Sequence, residues 1–206
     1  MSFEVVPMRE QHLDGAVALQ RDCFPEPFPE ELLWNRDHLA THLRLFPEGQ
    51  SVVLDGDRVI ASASATRISE ENWDAHRGWD ETVGGPFLET FDPTGTTLYG
   101  LDISVHPQYR GMGLGRMLYQ ARFDLAKGLG LVRYGTACRL PDFRAFEKEH
   151  PGATVEEYAE NVVQGSAKDR TLSPLLRYGL TFLGVIHRYM EDFESNDAAA
   201  LLEWRI

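Results

Sequence analysis

A strand followed by a glycine-rich turn and a helix most constrains what this chain of 206 residues can fold into. The segment TTLYGLDISV, from Thr96 to Val105, alternates in the way that a strand does. HPQYRGMGLG follows, and apolar residues then recur at helical spacing until Gly128 and Gly130. Glycine lets the backbone approach an anion, and the first turn of a helix has free N–H groups. The three elements together predict a pyrophosphate site.

Two common nucleotide motifs do not fit this loop. A P-loop requires Gly-Lys-Ser/Thr, whereas the chain has Gly115-Arg116-Met117. The dinucleotide fingerprint G-x-G-x-x-G requires a glycine where Arg116 stands in one register and where Leu118 stands in the other. A nucleotide-binding oxidoreductase is therefore disfavoured.

A third pattern does match the loop. VHPQYRGMGLGRMLYQ resembles the acyl-coenzyme A motif Q/R-x-x-G-x-G/A of the GNAT (Gcn5-related N-acetyltransferase) superfamily. Gln108, Gly111 and Gly113 fit the motif in one register, and Arg110, Gly113 and Gly115 fit it in the next. Both registers stay open from the sequence.

A narrower resemblance extends from about Leu98 to the C-terminus. The segments LYGLDISVHPQYRG, ACRLPDF, EEYAENVVQG and ESNDAAALLEW resemble the GNAT domains that are fused to nitrilase-type amidohydrolases. No hydrolase domain fits in this length, so we expect a free-standing relative with a single GNAT domain over residues 1–206.

Helical and strand patterns are mixed along the chain, which predicts the α/β class with a mostly antiparallel central sheet. The resemblance implies the GNAT fold, in which helices flank a sheet that splays between its fourth and fifth strands. Acetyl-CoA would place its pantetheine in that opening and its pyrophosphate on the loop. The implied cofactor-binding residues are Ile103, Ser104, Val105, Gln108, Arg110, Gly111, Met112, Gly113, Leu114, Gly115 and Arg116.

Acetylation of an amine requires a base, because an alkylamine with a pKa of roughly 10 is protonated at neutral pH. Asp102 is the first candidate, since alternation places it on one strand face with the small residues Gly100 and Ser104. A structural carboxylate is the alternative. Many GNAT enzymes carry a glutamate earlier on this strand, where this chain has Thr96-Thr97-Leu98. A chain of waters could replace that base.

The departing thiolate benefits from an acid. The family often has a tyrosine four residues before the start of its sixth strand, where this chain has Leu175. Tyr178, which is offset from that position, and Tyr158 on the preceding helix are the two candidates. His106 is a weaker catalytic candidate, because it precedes Pro107 and reads as a turn residue.

No metal is expected. His38 and His42 have the spacing of a helical ligand pair, but HLATH lacks the glutamate of HExxH and no third ligand stands at a familiar spacing. The aromatic residues Phe24, Phe28 and Trp34 either line the acceptor pocket or belong to the core.

The net charge of -12 makes nucleic acid a poor partner, because binding it requires a basic surface. No apolar run of about 18 residues and no signal peptide are evident, and two cysteines form no disulfide framework, so we expect no membrane association and a cytoplasmic location. The expected acceptor is an amine of a small molecule or peptide. A homodimer is compatible with the sequence. A non-catalytic acyl-CoA sensor or partner-binding module is the alternative function.

The remaining pattern gives a coarse order of elements. Asp55-Gly56 predicts a hairpin, and Thr154 with Glu157 predicts a capped helix. The prolines from Cys23 to Glu31 predict a loop, with a helix after Pro29 that includes Leu32. Residues 70–95 read as an irregular excursion.

Overall fold

The computed structural model describes residues 3–25 and 28–206, and within them seven strands form one mixed sheet. The strands are β1 Val5–Pro7, β2 Gln50–Asp55, β3 Arg58–Ile68, β4 Thr97–Val105, β5 Arg133–Arg139, β6 Thr181–Ile186 and β7 Ala199–Arg205. Their order in the sheet is β1-β2-β3-β4-β5-β7-β6. The sheet is mostly antiparallel, as predicted, and the one parallel pair among the described strands is β4–β5.

Helices cover both faces of the sheet. They are α1 Leu13–Cys23, α2 Arg36–Leu45, α3 Glu70–Asp74, α4 Trp79–Val83, α5 Leu114–Gly128, α6 Phe143–Glu149, α7 Val155–Gln164 and α8 Leu172–Arg177. On one face, α1 and α2 share a core with β2 and β3. On the other face, α5, α7 and α8 share a core with β4, β5 and β7. None of the helices in this described part of the chain is both long and apolar enough to cross a membrane.

The sheet opens between β4 and β5. Their parallel pairing runs from Thr97 opposite Arg133 to Gly100 opposite Thr136. Beyond that pair, residues 101–105 of β4 diverge from residues 137–139 of β5, which continue to pair with β7. This is the predicted splay, and it leaves one edge of β4 open.

A β-bulge at Leu101 corrects the predicted faces of β4. Ser64 of β3 pairs with Asp102, but the next residue, Ala65, pairs with Gly100, so Leu101 is the extra residue of the bulge. Alternation is broken there, because a bulge adds one residue to one strand. Gly100 faces the α5 side, whereas Asp102 and Ser104 face α1 and α2. The prediction that Gly100 lies beside Asp102 is therefore wrong.

Other local predictions are confirmed or corrected by the backbone. The hairpin at Asp55-Gly56 joins β2 to β3, and Thr154 and Glu157 form a capping box at the start of α7. The helix expected after Pro29 is present as α2, but it begins later, at Arg36 with Asn35 as its N-cap, and Leu32 lies in a separate 3₁₀ turn, Glu30–Leu32. The excursion contains the short helices α3 and α4. Of the predicted proline loop, Glu26 and Pro27 lie outside the described residues.

Candidate active site

The turn after β4 is shaped by His106. Its Nδ1 accepts a hydrogen bond from the backbone N–H of Gln108 at 3.2 Å, which caps a 3₁₀ turn over Pro107–Tyr109. Its Nε2 lies 2.7 Å from Nη2 of Arg58. The ring is buried, so the geometry agrees with a turn residue.

Positive φ values explain two of the three glycines in the following loop. Gly111 and Gly113 have φ values of +80° and +85°, a left-handed conformation that side chains disfavour. Gly115 lies within the first turn of α5, and a Cβ there would be 3.8 Å from Oη of Tyr178. Gly111 and Gly113 thus allow the turn, whereas a Cβ at Gly115 would make only an ordinary van der Waals contact. Each motif register uses part of this set.

The N-terminus of α5 offers backbone donors. Gly113 is its N-cap and supplies no side-chain cap, and the helical hydrogen bonds begin with Met117 N donating to Gly113 O at 3.1 Å. The N–H groups of Leu114, Gly115 and Arg116 therefore have no acceptor within the helix. Arg116 and Met112 are exposed beside them, whereas Leu114 is buried in the core. Backbone donors, a cationic side chain and open space fit a diphosphate.

The open edge of β4 presents peptide groups of Ile103 and Val105. His106 N donates to Ile60 O of β3 at 2.9 Å, and successive peptide groups of a strand point to opposite edges. The peptide N–H and C=O of Val105 and Ile103 therefore point to the splay, while those of Ser104 point to β3. Arg110 Nε donates to Val105 O at 3.2 Å, which ties the loop to this edge.

Asp102 is held by three side chains on the α1–α2 side of the sheet. Trp34 Nε1 donates to its Oδ1 at 3.0 Å, and Gln20 Nε2 donates to its Oδ2 at 3.0 Å. Ser104 Oγ makes a longer contact with Oδ2 at 3.4 Å. Gln20 also accepts from the backbone N–H of Trp34 at 2.9 Å. The carboxylate thus joins β4 to α1 and to the segment before α2.

Burial raises the pKa of the Asp102 carboxyl. The guanidinium of Arg122 and the hydrogen bonds from Trp34, Gln20 and Ser104 oppose this increase, because they favour the charged form. A carboxyl group with a raised pKa is a better base than an ordinary aspartate, since its basicity lies closer to neutral pH.

The two tyrosine candidates have different surroundings. Tyr178 is partly exposed, its ring lies 5.4 Å from that of Tyr119, and its hydroxyl approaches Gly115 at the start of α5. The Tyr158 hydroxyl is engaged away from the splay, where Lys168 O and Asp169 Oδ2, each at 2.9 Å, share its single proton. Burial raises the pKa of Tyr158.

The predicted aromatic residues before α2 divide between packing and a cleft. Trp34 and His38 line a cleft together with Arg21, Glu30, Glu31, Leu33 and Asn35. The rings of Phe24 and Phe28 pack 4.9 Å apart, and Phe28 lies 5.3 Å from the Arg139 guanidinium at the end of β5. This segment therefore borders the same side of the sheet as Asp102.

The two helical histidines have structural partners. The backbone N–H of His38 donates to the side chain of Asn35, the N-cap of α2. Nε2 of His42 lies 2.7 Å from Pro86 O. Burial lowers the pKa of His42 to about 4. Over residues 3–25 and 28–206, no group of three or more His, Cys, Asp or Glu is arranged to hold a metal ion.

Sequence reasoning missed Gln20 and the buried role of Arg122. Gln20 carries no signal in the sequence, because only the fold brings α1 to Asp102. The sequence did carry a signal for the burial of Arg122, since this residue stands four residues after Leu118 and so falls on the apolar face of α5. It is buried in the core rather than directed at the loop.

Comparison with known proteins identifies the class. Residues 13–147 match the acetyltransferase (GNAT) family. The chain belongs to this family and is a GNAT-type acetyltransferase.

Three known proteins are similar to the chain over nearly its whole length. The chain is 35% identical to the uncharacterized N-acetyltransferase YkwB of Bacillus subtilis (strain 168), over 98% of this chain and 90% of YkwB. It is 34% identical to the probable hydrolase YhcX of the same organism, over 96% of this chain but only 37% of YhcX. Among solved structures, the GNAT-like decarboxylase GphF in complex with isobutyryl-CoA has a TM-score of 0.81 at 24% identity, with 98% of each chain covered, and this similarity concerns the fold.

Proposed function

We propose that this enzyme transfers the acetyl group of acetyl-CoA to an amine of a small molecule or peptide. The observation that carries the proposal is the open edge of β4, where the peptide groups of Ile103 and Val105 face the splay directly before the glycine loop. The name of YkwB as an N-acetyltransferase, at 35% identity, supports the same reaction.

The loop and the open edge would bind different parts of acetyl-CoA. The N–H groups of Leu114, Gly115 and Arg116 would donate hydrogen bonds to the diphosphate, and the Arg116 side chain would add positive charge. The peptide groups of Ile103 and Val105 would pair with pantetheine. GphF was solved with isobutyryl-CoA, which supports an acyl-CoA in a fold of this kind.

The acceptor amine would enter from the α1–α2 side, where Asp102 lies. Asp102 would take the proton of the ammonium group, directly or through a water, because burial raises the pKa of its carboxyl. Attack on the thioester carbonyl would form the C–N bond, and its developing oxyanion would accept a hydrogen bond from the N–H of Val105. The C–S bond would then break.

Tyr178 is the better-placed acid for the departing thiolate. Its hydroxyl lies near Gly115, at the helix end that borders the opening, whereas the hydroxyl of Tyr158 is bonded to Asp169. Proton donation from Tyr178 would complete release of coenzyme A.

A screen of thiol release from acetyl-CoA against pools of amines tests the function. Release that depends on one amine, with formation of its acetyl amide, is the expected result. Acetyl-CoA binding without release in any pool would favour the acyl-CoA sensor. Absence of acetyl-CoA binding would contradict the site assignment itself.

A further inference from the structure

Arg122 is a charged side chain in the interior of the protein. It lies on the buried face of α5, and its relative exposure is 4%. Burying a guanidinium is costly unless its donors are satisfied. Its contacts therefore indicate why the core retains it.

The guanidinium of Arg122 joins three neighbouring strands. Nη2 donates to the backbone carbonyls of Ser64 on β3 and Asp102 on β4. Nη1 donates to Oη of Tyr134 on β5 at 3.0 Å. Ser64 and Asp102 are the pair directly beside the bulge, so Nη2 connects the two strands where their register shifts.

Gly100 makes this arrangement possible. A Cβ at this position would lie 2.1 Å from Oη of Tyr134 and 3.0 Å from Nη1 of Arg122. Gly100 also belongs to the last β4–β5 pair, and its carbonyl accepts from Thr136 Oγ1 at 3.2 Å. The Arg122–Tyr134 pair therefore occupies the point where the splay begins.

We infer that Arg122 is a positioning residue for acyl transfer, which fixes the bulge of β4 through the carbonyls of Ser64 and Asp102. The inference rests on the proposed function. By fixing the bulge, Arg122 sets the direction of the Ile103 and Val105 peptide groups toward the splay. It also turns the Asp102 side chain toward α1 and Trp34. One buried residue thus orients both the thioester edge and the base, although it touches neither substrate.

Binding of two probes tests the inference in Arg122→Met, which keeps a long apolar side chain but removes every donor. Acetyl-CoA spans the loop and the open edge, whereas 3′-phospho-ADP carries the diphosphate without pantetheine. We expect acetyl-CoA affinity to fall about tenfold or more, with 3′-phospho-ADP affinity within about twofold of the wild type. Arg133→Met is the matched control, because Arg133 is equally buried but pairs with Glu70 and Glu203 at the end of the β4–β5 pairing away from the splay. It should change neither affinity.

A second readout requires no ligand. The indole N–H resonance of Trp34, assigned with Trp34→Phe, reports the hydrogen bond to Asp102. It should shift in Arg122→Met and not in Arg133→Met. If wild-type protein binds no acetyl-CoA but this shift occurs, the proposed function fails while the role of Arg122 in fixing the bulge stands.

Arg122→Lys provides the variant to use if Arg122→Met does not fold. Lysine retains the charge and can reach a carbonyl, so it should restore part of the acetyl-CoA affinity and move the Trp34 resonance less. Unchanged acetyl-CoA affinity in the variant that folds would overturn the inference. An equal loss for both probes would do the same, since it would indicate general destabilisation.

Discussion

The indole N–H of Trp34 donates a hydrogen bond to the carboxylate of Asp102 at 3.0 Å. The same indole ring lines the cleft formed by the segment before α2. Trp34 therefore connects the candidate base on β4 to the side from which an acceptor would approach. Loss of the indole N–H should therefore influence the pKa of Asp102.

Trp34→Phe should shift the acidic limb of the pH–rate profile to higher pH. As the proposed base, Asp102 would act in its deprotonated form, so activity would fall as the pH drops through its pKa. The indole hydrogen bond lowers that pKa, and its loss should raise the pKa further. Trp79→Phe is the control, because Trp79 packs 5.7 Å from Trp34 without that bond. An unchanged acidic limb in Trp34→Phe would mean that a group other than Asp102 determines that limb.

Asp102→Asn should lower kcat by on the order of a hundredfold while acetyl-CoA affinity changes little. Asparagine preserves the shape but removes the basicity. Asp169→Asn is a matched control, since Asp169 is also a buried carboxyl with a raised pKa but holds the start of α8. It should lower Tm and leave kcat near normal. The same pattern in Asp102→Asn, with an unchanged acidic limb, would reject the catalytic role.

Tyr178→Phe should reduce kcat by about tenfold or more without lowering Tm, because the thiolate would leave unprotonated. Tyr158→Phe should do the opposite. It loses the hydroxyl proton that Lys168 O and Asp169 share, which should cost about 1–3 kcal/mol of stability. Thermal melts and steady-state kinetics on both variants separate these outcomes. A large loss of kcat in Tyr158→Phe alone would mean that Tyr158, and not Tyr178, is the acid.

Gly113→Asp should abolish acetyl-CoA binding in calorimetry. Aspartate at this left-handed position adds backbone strain. It also places a negative charge at the helix N-terminus that would bind the diphosphate. Gly152→Asp provides the control, because Gly152 has a similar φ of +89° and open space around its Cβ. It should retain affinity. Wild-type affinity for acetyl-CoA in Gly113→Asp would mean that the cofactor binds at another site.

Exhaustive chelation should leave activity unchanged. His42 is buried and neutral, and its Nε2 faces Pro86 O, so a helical metal pair with His38 is disfavoured. Assay before and after dialysis against a chelator measures the effect. A loss that zinc restores would show that these histidines bind a metal.

Local chemistry made much of the fold predictable from the sequence. The Asp55-Gly56 turn, the existence of strand β4 and the Thr154 capping box each depend on residues close in sequence. The glycine loop is local too, since Gly111 and Gly113 occupy positions that need positive φ. The family resemblance predicted the splay between β4 and β5, whereas the parallel pairing of these two strands was not predicted.

Only the tertiary structure decided how the candidate base is presented. Period-two alternation placed Gly100 beside Asp102, but the bulge at Leu101 separates them onto opposite faces. Pairing with β3 determines that bulge, and the buried Arg122 donates to carbonyls on both strands beside it. The partners of Asp102 come from Gln20 and Trp34, which lie far from it in the sequence. Contacts of this kind depend on how helices and strands pack, which no local pattern of residues specifies.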